Sequence, residues 1–287
     1  MISDAEVRRT AARLAVDPMI VDLDYVLGCL LASLFRHPEA DVLRFKGGTC
    51  LKKCYYPDYR FSEDLDFTLS RRMSAAEARE MLNSVVAGAE DEWEIDFRVR
   101  PLQVEVVDDE YGKESYEVRV YYRGPLRRGG DPRAIRLDLT TDEVLEFPIS
   151  KRAIVHPYSD VSALVGVRVP CYGLLETVAE KVRALSGQRR YAISRDVYDI
   201  DQLTRREEMD VARLVAALPA KWRVKGLETG GINVGRLAGR QAEFQADWDR
   251  NLVHLLPAND ETDFTAAWGS ALNFIKELNR AWRQMGN

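Results

Sequence analysis

Val42-Leu43-Arg44-Phe45-Lys46-Gly47-Gly48-Thr49 is followed downstream by Arg60-Phe61-Ser62-Glu63-Asp64-Leu65-Asp66-Phe67. The first stretch reads as a short apolar strand running straight into Gly-Gly-Thr. A helix is predicted to start at Gly48 or Thr49, to carry Leu51 and Tyr55, and to break at Pro57. In the second stretch the side chains alternate, so Asp64 and Asp66 share one face of a strand while Leu65 and Phe67 pack on the other. Carboxylates that close repel unless a cation sits between them, and hard oxygen ligands favour Mg²⁺ or Mn²⁺. Taken singly, a Gly-Gly fits an ordinary turn and an Asp-x-Asp fits solvated strand acids. In this order they are far more specific. Glycines before a helix N-terminus let backbone N–H groups approach a phosphate, Thr49 adds a hydroxyl, and the two acids follow as a metal dyad. A phosphate cradle and a metal dyad are what nucleotidyl transfer needs.

Outward from this core, Asp17-Pro18 reads as a helix N-cap followed by Pro at the first helical position. Ile20, Leu23, Leu27, Leu30, Leu31 and Leu34 recur behind it at helical spacing, and His37-Pro38 ends the run. Ser74-Ala75-Ala76-Glu77 is a capping box before a helix expected over Glu77–Ala89. Strands are expected near Glu94–Val107 and Tyr116–Arg123, joined by the acidic turn Asp108-Asp109-Glu110-Tyr111-Gly112, and again at Ile135–Leu139. After Pro170 the pattern turns helical, over roughly Gly173–Leu185, Ser194–Leu203, Met209–Leu218, Gly239–Leu256 and Asp263–Met285. The expected fold class is therefore α/β (α+β): a helix-flanked mixed sheet over 1–160, then a helical domain over 161–287 that contributes to the active site.

Length and charge bound the function. At 287 residues with 46% hydrophobic and 30% charged residues, the chain has ordinary globular composition and room for two domains. Its 41 Lys+Arg against 46 Asp+Glu exclude a protein that coats nucleic acid by bulk charge, so polynucleotide contacts must be local. The longest apolar run, around Val26 to Phe35, is expected to be too short for a membrane span, and MISDAEVRRT lacks the apolar segment of a secretory signal. Cys29, Cys50, Cys54 and Cys171 form no C-x-x-C pair, which predicts buried reduced thiols in a cytoplasmic protein.

A third acid is sought on a later strand. In Ile135-Arg136-Leu137-Asp138-Leu139 the apolar residues share one face and Asp138 shares the other with Arg136. Asp138 is the choice, with Asp142 and Glu143 as alternatives and an Arg136–Asp138 pair on a solvated face as the plainer reading. Further on, Lys181 lies beside the apolar stripe Leu174, Leu175, Val178, Val182 and Leu185, so it either snorkels past the core or points into a cleft. Asp196 aligns with Ile200 and Leu203, although an acid in a first helical turn also serves the dipole.

The strand, Gly-Gly-Thr and Asp-x-Asp order resembles the DNA polymerase β superfamily of nucleotidyltransferases. Phe45–Thr49 with Arg60–Phe67 is closer still to the AbiEii/AbiGii toxin family, which includes the MenT toxins. Glu180-Lys181-Val182-Arg183-Ala184-Leu185 followed by Arg195-Asp196-Val197-Tyr198-Asp199-Ile200 looks like that family's C-terminal motif pair, and the resemblance spans about residues 20–205. It implies that Asp64, Asp66 and Asp138 bind Mg²⁺ or Mn²⁺. Lys46, Gly47, Gly48, Thr49 and Ser62 would hold the nucleotide, Lys181 would contact phosphates, and Asp196 would act as base or orienting acid. The implied protein is the toxin of a toxin–antitoxin pair. It would move NMP from an NTP to an RNA acceptor such as the tRNA 3′ end, with a cognate antitoxin as partner and no membrane. A protein hydroxyl or small molecule as acceptor, or a non-catalytic NTP-binding module, are the competing readings. Two basic runs are local: Arg127, Arg128, Arg133 and Arg136, and Arg183, Gln188, Arg189, Arg190 and Arg195 with Tyr191, whose ring could stack on a base.

Overall fold

The structure, a computed structural model, describes residues 1–108, 114–127, 129–188, 191–227 and 231–285. The acidic turn at 109–112 and the basic residues Arg128, Arg189 and Arg190 lie outside the described residues. Helix α1 (Asp4–Leu14) precedes α2 (Pro18–Arg36), where Asp17 accepts the Met19 N–H at 2.7 Å and Pro18 sits in the first turn. Residues Val21 to Leu34 of α2 are buried without a break. Helix α2, with a mean hydropathy of 1.7 over its best window, is one helix long and apolar enough to cross a membrane. That corrects the sequence expectation, which counted the shorter run from Val26. Its flanking turn adds apolar length, while Asp22 and Asp24 are buried with protein partners: Asp22 accepts the Leu126 N–H, and Asp24 meets Lys53.

Strand β1 (Leu43–Lys46) leads into α3 (Gly47–Cys50) and a π turn at Leu51–Tyr55. Next come β2 (Asp64–Leu69), α4 (Ala75–Trp93), β3 (Gln103–Asp108), β4 (Glu114–Tyr122), β5 (Arg133–Thr140), β6 (Ser150–Arg152) and β7 (Val169–Cys171). They form a seven-stranded mixed sheet in the order β3-β4-β5-β2-β1-β7-β6. Its parallel pairs are β2/β5 and β1/β7. One face carries Leu65, Phe67, Leu137, Leu139 and Val118 into a single hydrophobic core with α2 and α4. Phe35 of α2 meets Phe67 of β2 at 6.1 Å between ring centroids, and Trp93 at the end of α4 donates to Ser33 at 2.9 Å. Ser74 and Glu77 make the full capping box that their spacing predicts.

One expected strand is shorter than predicted. Glu94 closes α4 in the left-handed region at φ 56°, Asp96 makes only an isolated bridge to Arg123, and pairing in β3 begins at Gln103. Pro101 has no N–H to give a ladder, so the strand starts after it.

The chain divides into two compact units. The first comprises Met1–Glu143, Ile149–Tyr172 and Leu255–Asn259; the second comprises Val144–Pro148, Gly173–His254 and Asp260–Asn287. The second unit is helical: α5 (Leu174–Arg183) running into a π turn at Ala184–Gln188, α6 (Ser194–Arg206), α7 (Val211–Arg223), α8 (Val234–Ala238), α9 (Gln241–Asn251) and α10 (Phe264–Met285). Pro219 lies inside α7, which continues past the expected stop at Leu218. The long helix expected over Gly239–Leu256 is α9 alone, followed by a short 3₁₀ turn at Val253–Leu255. Aromatic rings fill this unit's core, Trp222 meeting Trp282 edge-on at 5.1 Å and Phe264 stacking on Trp268. The outlying Val144–Pro148 segment joins it through the Glu176 carboxylate, which accepts the N–H groups of Glu146 and Phe147 at 2.9 and 2.8 Å. Lys221, fully buried, pairs with that same carboxylate.

Candidate active site

Sheet register assembles the first unit's site. In the β1/β2 pair Lys46 lies opposite Asp66, and in the β2/β5 pair Asp66 lies opposite Asp138. Asp64 occupies the same face of β2 two residues earlier, opposite Arg136. Two neighbouring acids of β2 thus meet a third from β5, some seventy residues on, on one face of the sheet, while their apolar neighbours hold the strands to the core. Glu117 of β4 stands opposite Asp138 and extends the acidic row. Sequence reasoning passed over Glu117, because only the strand pairing relates it to the others.

Electrostatics mark Asp138 as the focus of the row. Burial, then the charges of Asp66, Asp64 and Glu117, push its carboxyl up to about 7, with Lys46 opposing. A carboxyl raised in this way by neighbouring carboxylates fits a site for a hard divalent cation, whose charge would relieve the repulsion. The sign for the metal-free protein follows. A folded-state value above the ordinary 3.8 means that the native chain holds this proton more tightly than the unfolded chain does. Stability therefore falls as pH rises from about 4 to about 7. In chelator, Asp138→Asn should melt above the wild type at pH 8 by about 2–4 °C, equivalent to about 1 kcal/mol, and match it near pH 4. Adding Mg²⁺ should close the gap by raising the wild type alone. Melting curves across that range check both statements.

The Gly-Gly loop is built against these acids. Gly47 has φ +76°, and a Cβ there would lie 2.0 Å from Asp66 Oδ2. A Cβ on Gly48 would lie 2.4 Å from the Arg60 guanidinium, which is buried beneath the loop. Both glycines are present because a carboxylate and a guanidinium occupy the space of a side chain. Gly47→Ala should leave the fold in place and cost transfer about 100-fold, because it strains the backbone and displaces Asp66. Initial rates beside a circular dichroism spectrum test this.

Thr49, expected at the nucleotide, sits in α3 behind the two glycines. Its buried hydroxyl donates to the Asp64 carbonyl and ties α3 to β2. Ser62 is buried two residues before Asp64, and half-buried Lys46 has its ammonium 5.8 Å from the Tyr172 ring centroid. The alternatives Asp142 and Glu143 lie beyond the end of β5, outside the paired row.

The second unit carries its own charged cluster. Lys181 Nζ on α5 lies 2.7 Å from Asp196 Oδ1 and 2.7 Å from Asp199 Oδ2, both on α6. All three side chains are buried, so Lys181 does not snorkel to solvent and Asp196 does more than face a helix dipole. Asp199 was overlooked as a site residue, yet the spacing of Asp196 and Asp199 places both on one face of α6. The expected basic surface run is corrected at Arg183, which is buried; Tyr191 is exposed and Arg195 half-buried.

The family described as nucleotidyl transferase AbiEii toxin, type IV TA system, matches residues 29–272. Among solved structures, the fold is similar to MenT4, a nucleotidyltransferase toxin from Mycobacterium tuberculosis. That pair has a TM-score of 0.66 and 21% identity over 99% of this chain and 94% of the other. It is also similar to JHP933 from Helicobacter pylori, with a TM-score of 0.58 and 16% identity over 94% of this chain and 96% of that one. At these identities the likeness concerns the fold. No curated protein matches the chain significantly by sequence.

Proposed function

The chain belongs to the AbiEii family of nucleotidyltransferase toxins of type IV toxin–antitoxin systems, and from that premise we propose that it transfers NMP from an NTP to an RNA hydroxyl, the tRNA 3′ end being the favoured acceptor. The observation that carries the reading is the row Asp66–Asp138 with Asp64, set against a glycine loop that leaves no room for side chains. In the reaction an acceptor hydroxyl oxygen bonds to the α-phosphorus, the bond to the β-phosphate oxygen breaks, pyrophosphate leaves, and the hydroxyl proton passes to a base. A divalent ion, Mg²⁺ or Mn²⁺, would supply charge neutralisation at the phosphates when held by Asp64, Asp66 and Asp138. The Gly47–Gly48 backbone gives the triphosphate close approach, and Lys46 offers it a cation. Thr49 holds β2 in register with the loop. Lys181 and Asp196 are assigned to the same reaction on the motif pair, as phosphate contact and as base or orienting acid, with Asp199 holding the lysine. A cognate antitoxin completes the system, and the cytoplasm is its expected compartment.

The test incubates the purified protein with each α-labelled NTP, Mg²⁺ and total tRNA, and in parallel with a protein lysate. Label on RNA with release of pyrophosphate is expected. Label on protein alone, or on nothing with any NTP and either Mg²⁺ or Mn²⁺, overturns the reading.

A further inference from the structure

Three of the four cysteines converge although their sequence positions gave no hint of it. Cys50 ends α3, Cys54 lies one turn later in the π turn, and Cys171 comes from β7, beside Phe45 of β1. Their sulfur atoms all lie within 4.8 Å of one another, and the three residues are 2%, 4% and 0% exposed. The fourth, Cys29, is buried elsewhere and stays outside the group.

Ordinary buried cysteines behave as small apolar side chains and need no particular neighbours. This trio has polar surroundings. The Arg152 guanidinium donates to the Cys54 carbonyl at 3.2 Å and lies 4.2 Å from the Tyr55 ring centroid. The Cys171 thiol donates to the Val169 carbonyl at 3.3 Å, and Lys53 and Arg152 set positive charge beside Cys54. Burial holds the Cys50 thiol well above its ordinary value. Three sulfur donors thus lie together within a cationic frame.

We infer that Cys50, Cys54 and Cys171 form a binding site for one thiophilic metal ion, of the Zn²⁺ or Cu(I) class, that ties the helix of the Gly-Gly loop to β7. Metal–sulfur bonds of about 2.3 Å place the sulfurs on a shared ion about 4 Å apart, so the trio needs to close by less than about 1 Å, within reach of side-chain rotation. Soft thiolate donors select such ions over Mg²⁺. Among the described residues no further His, Cys, Asp or Glu joins the group, which suits three-coordinate Cu(I) as well as zinc. On binding, the trio coordinates as thiolates and its thiol protons are released to solvent. The ion would lock Cys50, and with it Thr49 and the loop, to the strand beside β1.

The test uses the full-length protein, purified reduced and metal-free, then given one equivalent of Zn²⁺ or Cu(I) and desalted. One retained ion per chain is expected, with thiolate-to-metal absorption and at least 10-fold slower reaction of the trio with a thiol reagent. Cys54→Ser should lose retention, while Cys29→Ser and Asp66→Ala keep it, which separates this site from the carboxylate row. Should Cys54→Ser fail to fold, thiol protection in the wild type with and without ion decides the matter. Unchanged thiol reactivity, or retention equal in wild type and Cys54→Ser, overturns the inference. So does a disulfide within the trio that forms on mild oxidation in the presence of ion.

Discussion

Asp66→Ala abolishes nucleotidyl transfer, with the rate falling about 1000-fold or more and the melting temperature of the metal-free protein unchanged or higher. A loss of that size corresponds to about 4 kcal/mol of transition-state stabilisation, the scale of removing a metal-holding carboxylate from a phosphoryl-transfer site. Asp66 is the residue for which the effect should be largest. It stands at the centre of the row, with Lys46 opposite on β1 and Asp138 opposite on β5. The Gly47 backbone is packed against its carboxylate. Its charge is also the largest single charge lifting Asp138. Asp66→Asn separates shape from charge: it keeps the packing, and it should lower the Asp138 titration from about 7 toward the ordinary carboxylate range, read by NMR of the carboxyl carbon. Growth arrest on expression should disappear with the activity. Full activity in Asp66→Ala would remove the acidic row from the mechanism.

Lys53→Met destabilises the protein by about 3–5 kcal/mol, without touching the acidic row. Lys53 and Asp24 pair at 2.6 Å with side chains 1% and 2% exposed. Tyr158 also donates to Asp24, at 2.7 Å. Burial alone would raise the Asp24 carboxyl, but Lys53, Lys52 and the hydrogen bonds from Lys53 and Tyr158 outweigh it and hold the group below its ordinary value. Removing Lys53 leaves a carboxylate buried without its main partner, and that is where the cost arises. The double variant Asp24→Asn with Lys53→Met should recover most of the loss, since a neutral pair of similar volume carries no such penalty. The pH dependence reverses with it. In the wild type a depressed value means that Asp24 contributes stability above about pH 4 and loses it on acidification. In Lys53→Met the raised value makes Asp24 a source of instability that eases as pH falls. Denaturant titrations at two pH values distinguish the four proteins, and additive single and double effects would show the pair to be unimportant.

The acidic row and the buried pair were not equally visible beforehand. Asp64 and Asp66 are two residues apart, so strand alternation alone puts them on one face. Gly47-Gly48 follows a strand directly, and its closeness to Asp66 explains why glycine stands there. The helix caps at Asp17 and Ser74 were legible because capping is settled within four residues. What failed was non-local. The strand expected from Glu94 starts only after Pro101, and α7 runs on through Pro219 to Arg223. Lys53, in a run of two lysines on a short helix, reads as a surface residue. Its burial follows from Asp24, which lies on the most apolar helix of the chain.

Local order in the sequence therefore determined the type of chemistry, the helix starts and the two acids on β2, since each depends on residues within one turn or one strand. Register across the sheet decided the rest. Asp138 came beside Asp66, and Glu117 beside Asp138, through pairing between strands, and Asp199 joined Lys181 through the packing of α5 against α6. Three cysteines with no shared motif converged because β1, α3 and β7 lie side by side. Such contacts join residues far apart along the chain, so no spacing rule encodes them, and only the folded sheet and helices bring them into reach.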